Sequence, residues 1–312
     1  MAWNFKSEIC SLVLFIKKIG TLPCCRIMLI KKIKTKVSST ISSILADDLF
    51  WKCLPQILRS NVHVKVRRQI GFAREYNQVV QEIFSNLTVL QGPFAGLIYP
   101  AAKSRGSALY PKLLGTYENE LHPFFEENSG ENYRMVVDIG CAEGFYLAGF
   151  GRKYRDIPLI GFDPDPEALQ LTRELAAANR IEPDRLQLFG GFSADLLAGK
   201  LPKRSLVVCD CEGFEETVFE AKNMGLWKDS DLVIECHDFL IPGITRDLAA
   251  RLSATHVVKI IKEAEAKEKI SWPLAALFRR ARPQHQLQMI NEGRPEKMCW
   301  LFAQPLRLKG AT

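Results

Sequence analysis

Apolar positions fall into two regimes along this chain. From Tyr133 onward, short apolar runs alternate with amphipathic stretches. That pattern predicts strands at 135–139, 158–162, 185–189, 205–209 and 231–236, with helices between them. Strands this continuously apolar are covered on both faces, so the pattern predicts a parallel α/β sheet. The clearest helix is 166–179, which has Pro and Glu in its first turn and offers Leu169, Leu171, Leu175 and Ala178 for burial. Two later runs, 255–262 and 298–303, read as further strands separated by a long basic insertion at 265–296.

Upstream the pattern changes. Residues 47–130 read as mostly helical, with Phe72, Tyr76, Val79, Val80 and Ile83 at helical spacing. Pro93, Gly96, Pro100, Gly106 and Pro111 then interrupt it, and a helix is expected to resume across 117–127. Residues 1–46 mix lysines with aliphatic residues. The run Ile9–Ile16 is too short to span a bilayer, and its basic flank sits where a secretory signal would be cleaved. Several readings of this extension stand: a basic amphipathic helix lying peripherally on an anionic membrane, a helical extension with a solvated basic face, or upstream sequence if Met28 is the true start.

Charge sharpens this division. The formal net charge is +7, and residues 1–46 hold eight Lys or Arg against one acid, so residues 47–312 are formally neutral. No nucleic-acid partner is expected of such a body. With 312 residues and 47% apolar composition, the chain has room for one large α/β domain and an additional segment. Nine scattered cysteines fit a reducing cytoplasm better than a disulfide framework.

The candidate chemistry begins at the first strand of the alternating region. Met135–Ile139 leads into a G-x-A-x-G turn (Gly140, Ala142, Gly144), with Asp138 two places ahead of the first glycine. The second strand ends in Phe162 and Asp163, and the two carboxylates are 25 positions apart. Glycines let a backbone approach a nucleotide-like ligand, and an acid after the second strand takes ribose hydroxyls. An acid beside the turn would repel a diphosphate but suits a cation. S-adenosylmethionine, with its sulfonium and amino group, is therefore favoured over NAD.

Two more clusters lie at strand ends: Asp210, Glu212 and Glu215 after the fourth strand, and Glu235, His237 and Asp238 after the fifth. His237, with an acid to orient it, is the best general base for a hydroxyl, and Asp210 or Glu212 could share that role or position the acceptor. Equally, Glu212 and Glu215 could serve only to cap the next helix. Convergent oxygen ligands would admit a divalent cation, though none is expected. Cys209, Cys211, Cys236 and His237 lack the second pair that a zinc site needs. Asp195 could meet an adenine amino group or cap the Leu196–Leu197 turn. His122 and His256 show no partners and read as structural or exposed. Trp272, Phe278, Arg279, Arg280 and Arg282 could line an acceptor pocket or form a solvated helix.

Three blocks carry a family resemblance: Val137–Gly144, Phe162–Pro166, and Cys209–Glu215 with its acid-x-Glu-Gly-x-Glu run at Asp210, Glu212, Gly213 and Glu215. Over about 130–304 the chain resembles class I S-adenosylmethionine-dependent methyltransferases, and more narrowly those of the FkbM type. The resemblance implies a Rossmann-like seven-stranded sheet with an antiparallel last strand, pairing 255–262 with 298–303. It implies S-adenosyl-L-methionine as cofactor and O-methylation of a hydroxyl on a small molecule or glycan. Gly140, Ala142 and Gly144 would carry the methionine portion, with Asp138 near its amino group. Phe162 and Asp163 would flank the ribose, and Tyr117 with Glu118 would fold over the methionine end unless they only start a helix capped by Thr116. Ala142 stands where many methyltransferases have glycine. The alternatives are N- or protein methylation, or a cofactor-binding partner without catalysis.

Overall fold

The computed structural model of the chain describes Gly71 and residues 75–127, 133–270 and 272–306. Expectations for residues 1–46, for 47–70 and for Phe72 lie outside the described residues. The chain divides into two compact units, residues 1–78 and 79–312. In the first, residues 75–78 are helical. Among the described residues, no helix is long and apolar enough to cross a membrane.

The second unit is built on one seven-stranded sheet. Its strands are β1 (Met135–Ile139), β2 (Leu159–Phe162), β3 (Leu186–Phe189), β4 (Ser205–Cys209), β5 (Ser230–Cys236), β6 (His256–Lys262) and β7 (Cys299–Pro305). They lie in the order β3-β2-β1-β4-β5-β7-β6. The first five run parallel, and β7 is inserted antiparallel between β5 and β6. This is the Rossmann-like seven-stranded sheet with an antiparallel β7 that the resemblance implies. All seven expected strands form, with ends within two residues of their sequence-based limits. β1, β4 and β5 are buried along their whole length, which accounts for their unbroken apolar runs.

Helix Pro166–Ala178 is set by its cap: Asp165 accepts from the Glu167 amide at 2.9 Å, and Pro166 opens the first turn. It buries Ala168, Leu169, Thr172, Leu175 and Ala176, whereas Leu171 and Ala178 are only partly covered. Ahead of it, helix Phe145–Lys153 buries every residue from Phe145 to Gly151. Phe94 and Phe125 pack edge-on against its Phe145, Tyr146 and Phe150.

Between residues 93 and 106 the prolines and glycines interrupt the helical pattern, as their positions imply. After helical residues 79–83, the described chain has no helix until Leu109–Leu114, because turns occupy its prolines and glycines. The helix expected across 117–127 starts late, with a 3-10 turn at Asn119–Leu121 and an α-helix at His122–Glu127. Glu118 takes a left-handed φ of 47°, which breaks the helical path. Thr116 does not cap it; its hydroxyl donates back to the Pro111 carbonyl at 3.3 Å.

The segment before that helix acts as a strap across the first turn. Glu143, buried beside Gly144, accepts from the Lys112 ammonium, from Ser104 Oγ at 2.8 Å, from the Arg105 amide at 3.1 Å and from Tyr99 at 3.2 Å. Lys112 and Glu143 are 3% and 2% exposed. Burial opposes the Glu143 charge, but Lys112 and these donors outweigh it and lower its pKa. Lys112→Met should therefore strand a buried carboxylate and cost about 3 kcal/mol in urea unfolding. The double variant Lys112→Met/Glu143→Leu should recover part of that loss. A single variant as stable as wild type would show that the strap is not held this way.

Candidate functional site

Because β1, β2, β4 and β5 are parallel, the residues that follow them emerge on one edge of the sheet. Gly140, Asp163, Asp210 and His237 are the first residues beyond those four strands. Ligands in open α/β sheets bind in this position. The loops interlock through their backbones: the Gly140 and Cys141 amides donate to Phe162 at 2.8 and 3.0 Å, and the Asp210 amide donates to Ile139 at 2.9 Å. Gly140 has φ +85°, and a Cβ there would overlap the carbonyl of Asp210. Only glycine lets the β1 turn and the β4 loop approach this closely.

Ala142 takes φ +48°, the left-handed region, which explains why glycine is common at such a turn. Its amide donates to Asp163 Oδ2 at 2.9 Å, and its carbonyl accepts from Thr172 Oγ1 at 2.9 Å. Asp163 Oδ1 accepts from the Asp165 amide at 2.8 Å. Each oxygen of Asp163 thus has one backbone donor and keeps further acceptor capacity.

A cavity of about 650 Å³ opens over these loops. Of the residues expected at the site, Gly140, Ala142, Phe162, Asp163 and Tyr117 line it, and so do Asp210, Glu212 and His237. Gly144 and Asp138 do not. Gly144 lies beneath the turn, where a Cβ would meet Thr172. Asp138 is buried under the loops, and burial followed by the charges of Asp210 and Asp163 drives its carboxyl well above its ordinary pKa. Asp195 is also placed elsewhere. It is exposed in the short helix Ala194–Leu197, whose N-cap is Ser193, and Phe192 and Gly191 line the cavity from that loop instead. Asp238 turns away, accepting from the Gly243 amide at 3.1 Å and from the Thr245 hydroxyl.

His237 is the centre of the second half of the site. Its side chain is 3% exposed, with Nδ1 2.8 Å from Glu215 Oε1. This is a close approach without the alignment of a full hydrogen bond. Glu215, itself fully buried, also accepts from the Cys211 amide at 3.1 Å. The other ring nitrogen, Nε2, lies 3.5 Å from Asp210, 3.6 Å from Glu212 and 4.0 Å from Glu235. Burial works against the imidazolium, but Glu215, Asp210 and Glu212 together raise the His237 pKa above its ordinary 6.5. Asp210 is pushed up to about 6, chiefly by burial, with Glu212 and Glu215 adding to the shift and His237 and Arg294 resisting it.

Sequence reasoning missed Arg294. It reaches the cavity from the insertion, with Nη2 2.8 Å from Glu118, Nε 2.9 Å from Glu292 and Nη1 against Glu235. Tyr146 donates to Glu118, and Lys269 pairs with Glu292, so four charged residues and a tyrosine surround one guanidinium. What the insertion brings to the cavity is Glu292, Gly293, Arg294 and Pro295. Arg279 and Arg282 are exposed, Phe278 is buried in the core, and none of the three lines it. The side chains of Trp272 and Arg280 lie outside the described residues. A Gly-Arg-Pro step just before a buried strand was the one signal available.

The remaining candidates have structural partners. His122 Nε2 lies 3.2 Å from the Tyr117 carbonyl, and burial lowers its pKa to about 4. His256 bridges Thr255 Oγ1 at 2.7 Å and the Ser230 carbonyl at 3.1 Å. Asp210, Glu215 and His237 bring potential metal-ligand atoms within 4.8 Å of one another, as do Glu118, Asp210 and Glu235. In both groups, contacts within the protein already engage members: Glu215 with His237, and Glu118 and Glu235 with Arg294. The thiols of Cys209 and Cys211 stand 3.5 Å apart.

No protein-family model matches the chain, and no curated protein matches it in sequence. Some solved structures are weakly similar to it. A Klebsiella pneumoniae protein whose proposed activity is O-methyl transfer is 10% identical, with a TM-score of 0.40 over 74% of this chain and 90% of its own. The precorrin-6y C5,15-methyltransferase of Geobacter metallireducens is 11% identical, with a TM-score of 0.37 over 55% of this chain and 80% of its own. The METTL16 methyltransferase domain is 13% identical, with a TM-score of 0.38 over 58% of this chain and 64% of its own. Likeness at this level decides nothing, and the activity has to be argued from the site.

Glu215→Gln should lower the His237 titration midpoint followed by NMR. It should also destabilise the protein by about 2 kcal/mol where the pair is charged. The raised His237 contributes fully below pH 6.5 and loses its share as pH rises through its folded value. The lowered Glu215 contributes fully above pH 4.5 and loses its share as pH falls through its folded value. The difference from wild type should therefore be largest between pH 4.5 and 6.5. An unchanged His237 midpoint would contradict the pairing.

Proposed function

We propose that this protein is an S-adenosylmethionine-dependent O-methyltransferase of the FkbM type, acting on a hydroxyl of a small molecule or glycan. The observation that carries this reading is that a ribose-type carboxylate, Asp163, and a buried histidine–carboxylate pair, His237–Glu215, serve one cavity. The residues fit such a cofactor. Six carboxylates line the cavity (Asp163, Asp165, Asp210, Glu212, Glu235 and Glu292) against two arginines. An acid excess of this kind suits a cationic ligand.

When bound, the cofactor supplies an electrophilic methyl group on a sulfonium. The chain's own residues do the rest. Asp163 holds the ribose hydroxyls with the acceptor capacity left beside its two backbone donors. Gly140 and Ala142 form the floor of the turn, and Tyr117 closes the side from the strap. His237 Nε2 takes the acceptor hydroxyl's proton, and Glu215 fixes the ring through Nδ1 and stabilises the imidazolium that results. The raised pKa of His237 means the basic form gains ground as pH rises. Turnover should therefore climb through and above pH 6.5.

Two variants test this reading. Asp163→Ala should weaken S-adenosylmethionine binding about 100-fold, since two hydrogen bonds to a charged group are lost. His237→Ala should leave that affinity unchanged and lower turnover of a methylated acceptor by about 10²–10⁴. Turnover retained in His237→Ala would remove the base from the mechanism. A wild type that binds the cofactor and methylates nothing would support a non-catalytic role.

A further inference from the structure

The cavity also carries information about its second occupant. Its arginines are already committed: Arg105 to Asp165 at 2.6 Å and Glu167 at 3.2 Å, and Arg294 to Glu118, Glu235 and Glu292. Neither is left to receive an anionic acceptor. Two carboxylates at the β4 loop are in the opposite position. Among the described residues, Asp210 and Glu212 have no lysine or arginine within ion-pair distance; the cationic neighbour they do have there is His237, at 3.5 and 3.6 Å. Asp210 Oδ1 is buried without a hydrogen-bond partner, while the Glu212 side chain is 74% exposed at the mouth.

Beside these acids the cavity presents aromatic rings to solvent. Phe214 and Phe239 both line it and are 45% and 36% exposed, unusual for phenylalanines of a well-packed α/β unit. Phe239 lies against the His237 ring, with centroids 5.8 Å apart. An aromatic face attracts a cation by its quadrupole and also covers an apolar body, and a carboxylate beside it adds charge to the same preference. If S-adenosylmethionine meets Asp163 across the cavity, the Asp210–Glu212 side is left for the acceptor.

We propose that the acceptor carries a protonated amine near the hydroxyl that is methylated, and that Asp210 and Glu212 receive this amine against the rings of Phe214 and Phe239. The proposal rests on the methyl-transfer reading above and narrows its substrate class to cationic hydroxylated molecules. An ammonium beside the two acids also withdraws their support from the imidazolium, which favours the neutral His237 that can accept a proton. Acceptor binding and base activation are then coupled through the same two carboxylates.

A matched series tests the preference: tyramine, 4-ethylphenol and 4-hydroxyphenylacetate, which share a phenol and differ in tail charge. Their affinities are measured by ligand-observed NMR on the full chain saturated with S-adenosylhomocysteine, whose own binding is measured first by calorimetry. Tyramine should bind at least about tenfold more tightly than either other probe. Glu212→Gln, at an exposed position, should abolish most of that preference, whereas Phe239→Ala should weaken all three probes alike. Equal binding of the three probes, tighter binding of the acid, or no binding of tyramine would overturn the proposal. Failure of the calorimetric step would instead overturn the methyltransferase reading on which it rests.

Discussion

The close approach of two backbones at Gly140 is the constraint on which the site depends. With no Cβ, and with φ in the left-handed region, Gly140 lets the turn after β1 sit against the carbonyl of Asp210. The Asp210 amide closes the contact on Ile139, while the amides of Gly140 and Cys141 close a second on Phe162. Three loops are locked together at the carboxyl edge of the sheet. The side chains that follow them, Asp163, Asp210 and Glu212, therefore face a common space before any ligand arrives. An alanine at 140 would separate these loops rather than merely strain one residue.

That compactness has an electrostatic cost. Carboxylates are brought together at low solvent exposure, and burial first, then their mutual repulsion, pushes the Asp138 and Asp210 pKa values upward. The protein offsets part of this from outside the motif-bearing strands. Lys112 neutralises Glu143 under the strap, and Arg294 and Lys269 thread the insertion into the acidic group made by Glu118, Glu235 and Glu292. Compensation is incomplete around Asp210 and Glu212. On the proposed reading, that remaining imbalance is what recognises cationic ligands.

The sheet was legible because its signal is local. Apolar runs bounded by turns give the strands, and the strand-end acids follow from parallel order, so Asp163, Asp210 and His237 could be placed from spacing alone. The resemblance then supplied the antiparallel β7, which no local pattern contains. What could not be read were contacts between distant segments. Glu215 looked like a helix cap, and its approach to His237 depends on the packing of the β4 loop against the end of β5. Arg294 lies 176 residues from Glu118, its hydrogen-bond partner. Asp195 had two readings, an adenine contact or a helix cap; it sits exposed in the first turn of helix Ala194–Leu197, and Phe192 lines the cavity from that loop. The break before residue 117 was legible in its prolines and glycines, but the contacts by which that segment builds the strap were not.

The central claim is that this acid-rich carboxyl edge is built for a cationic methyl donor rather than a dinucleotide. Calorimetric titration of the purified full chain with S-adenosylmethionine, and separately with NAD, tests it most directly. The account predicts saturable binding of S-adenosylmethionine at one site per chain and no binding of NAD at the same concentrations. No heat with S-adenosylmethionine, or tighter binding of NAD, would contradict it.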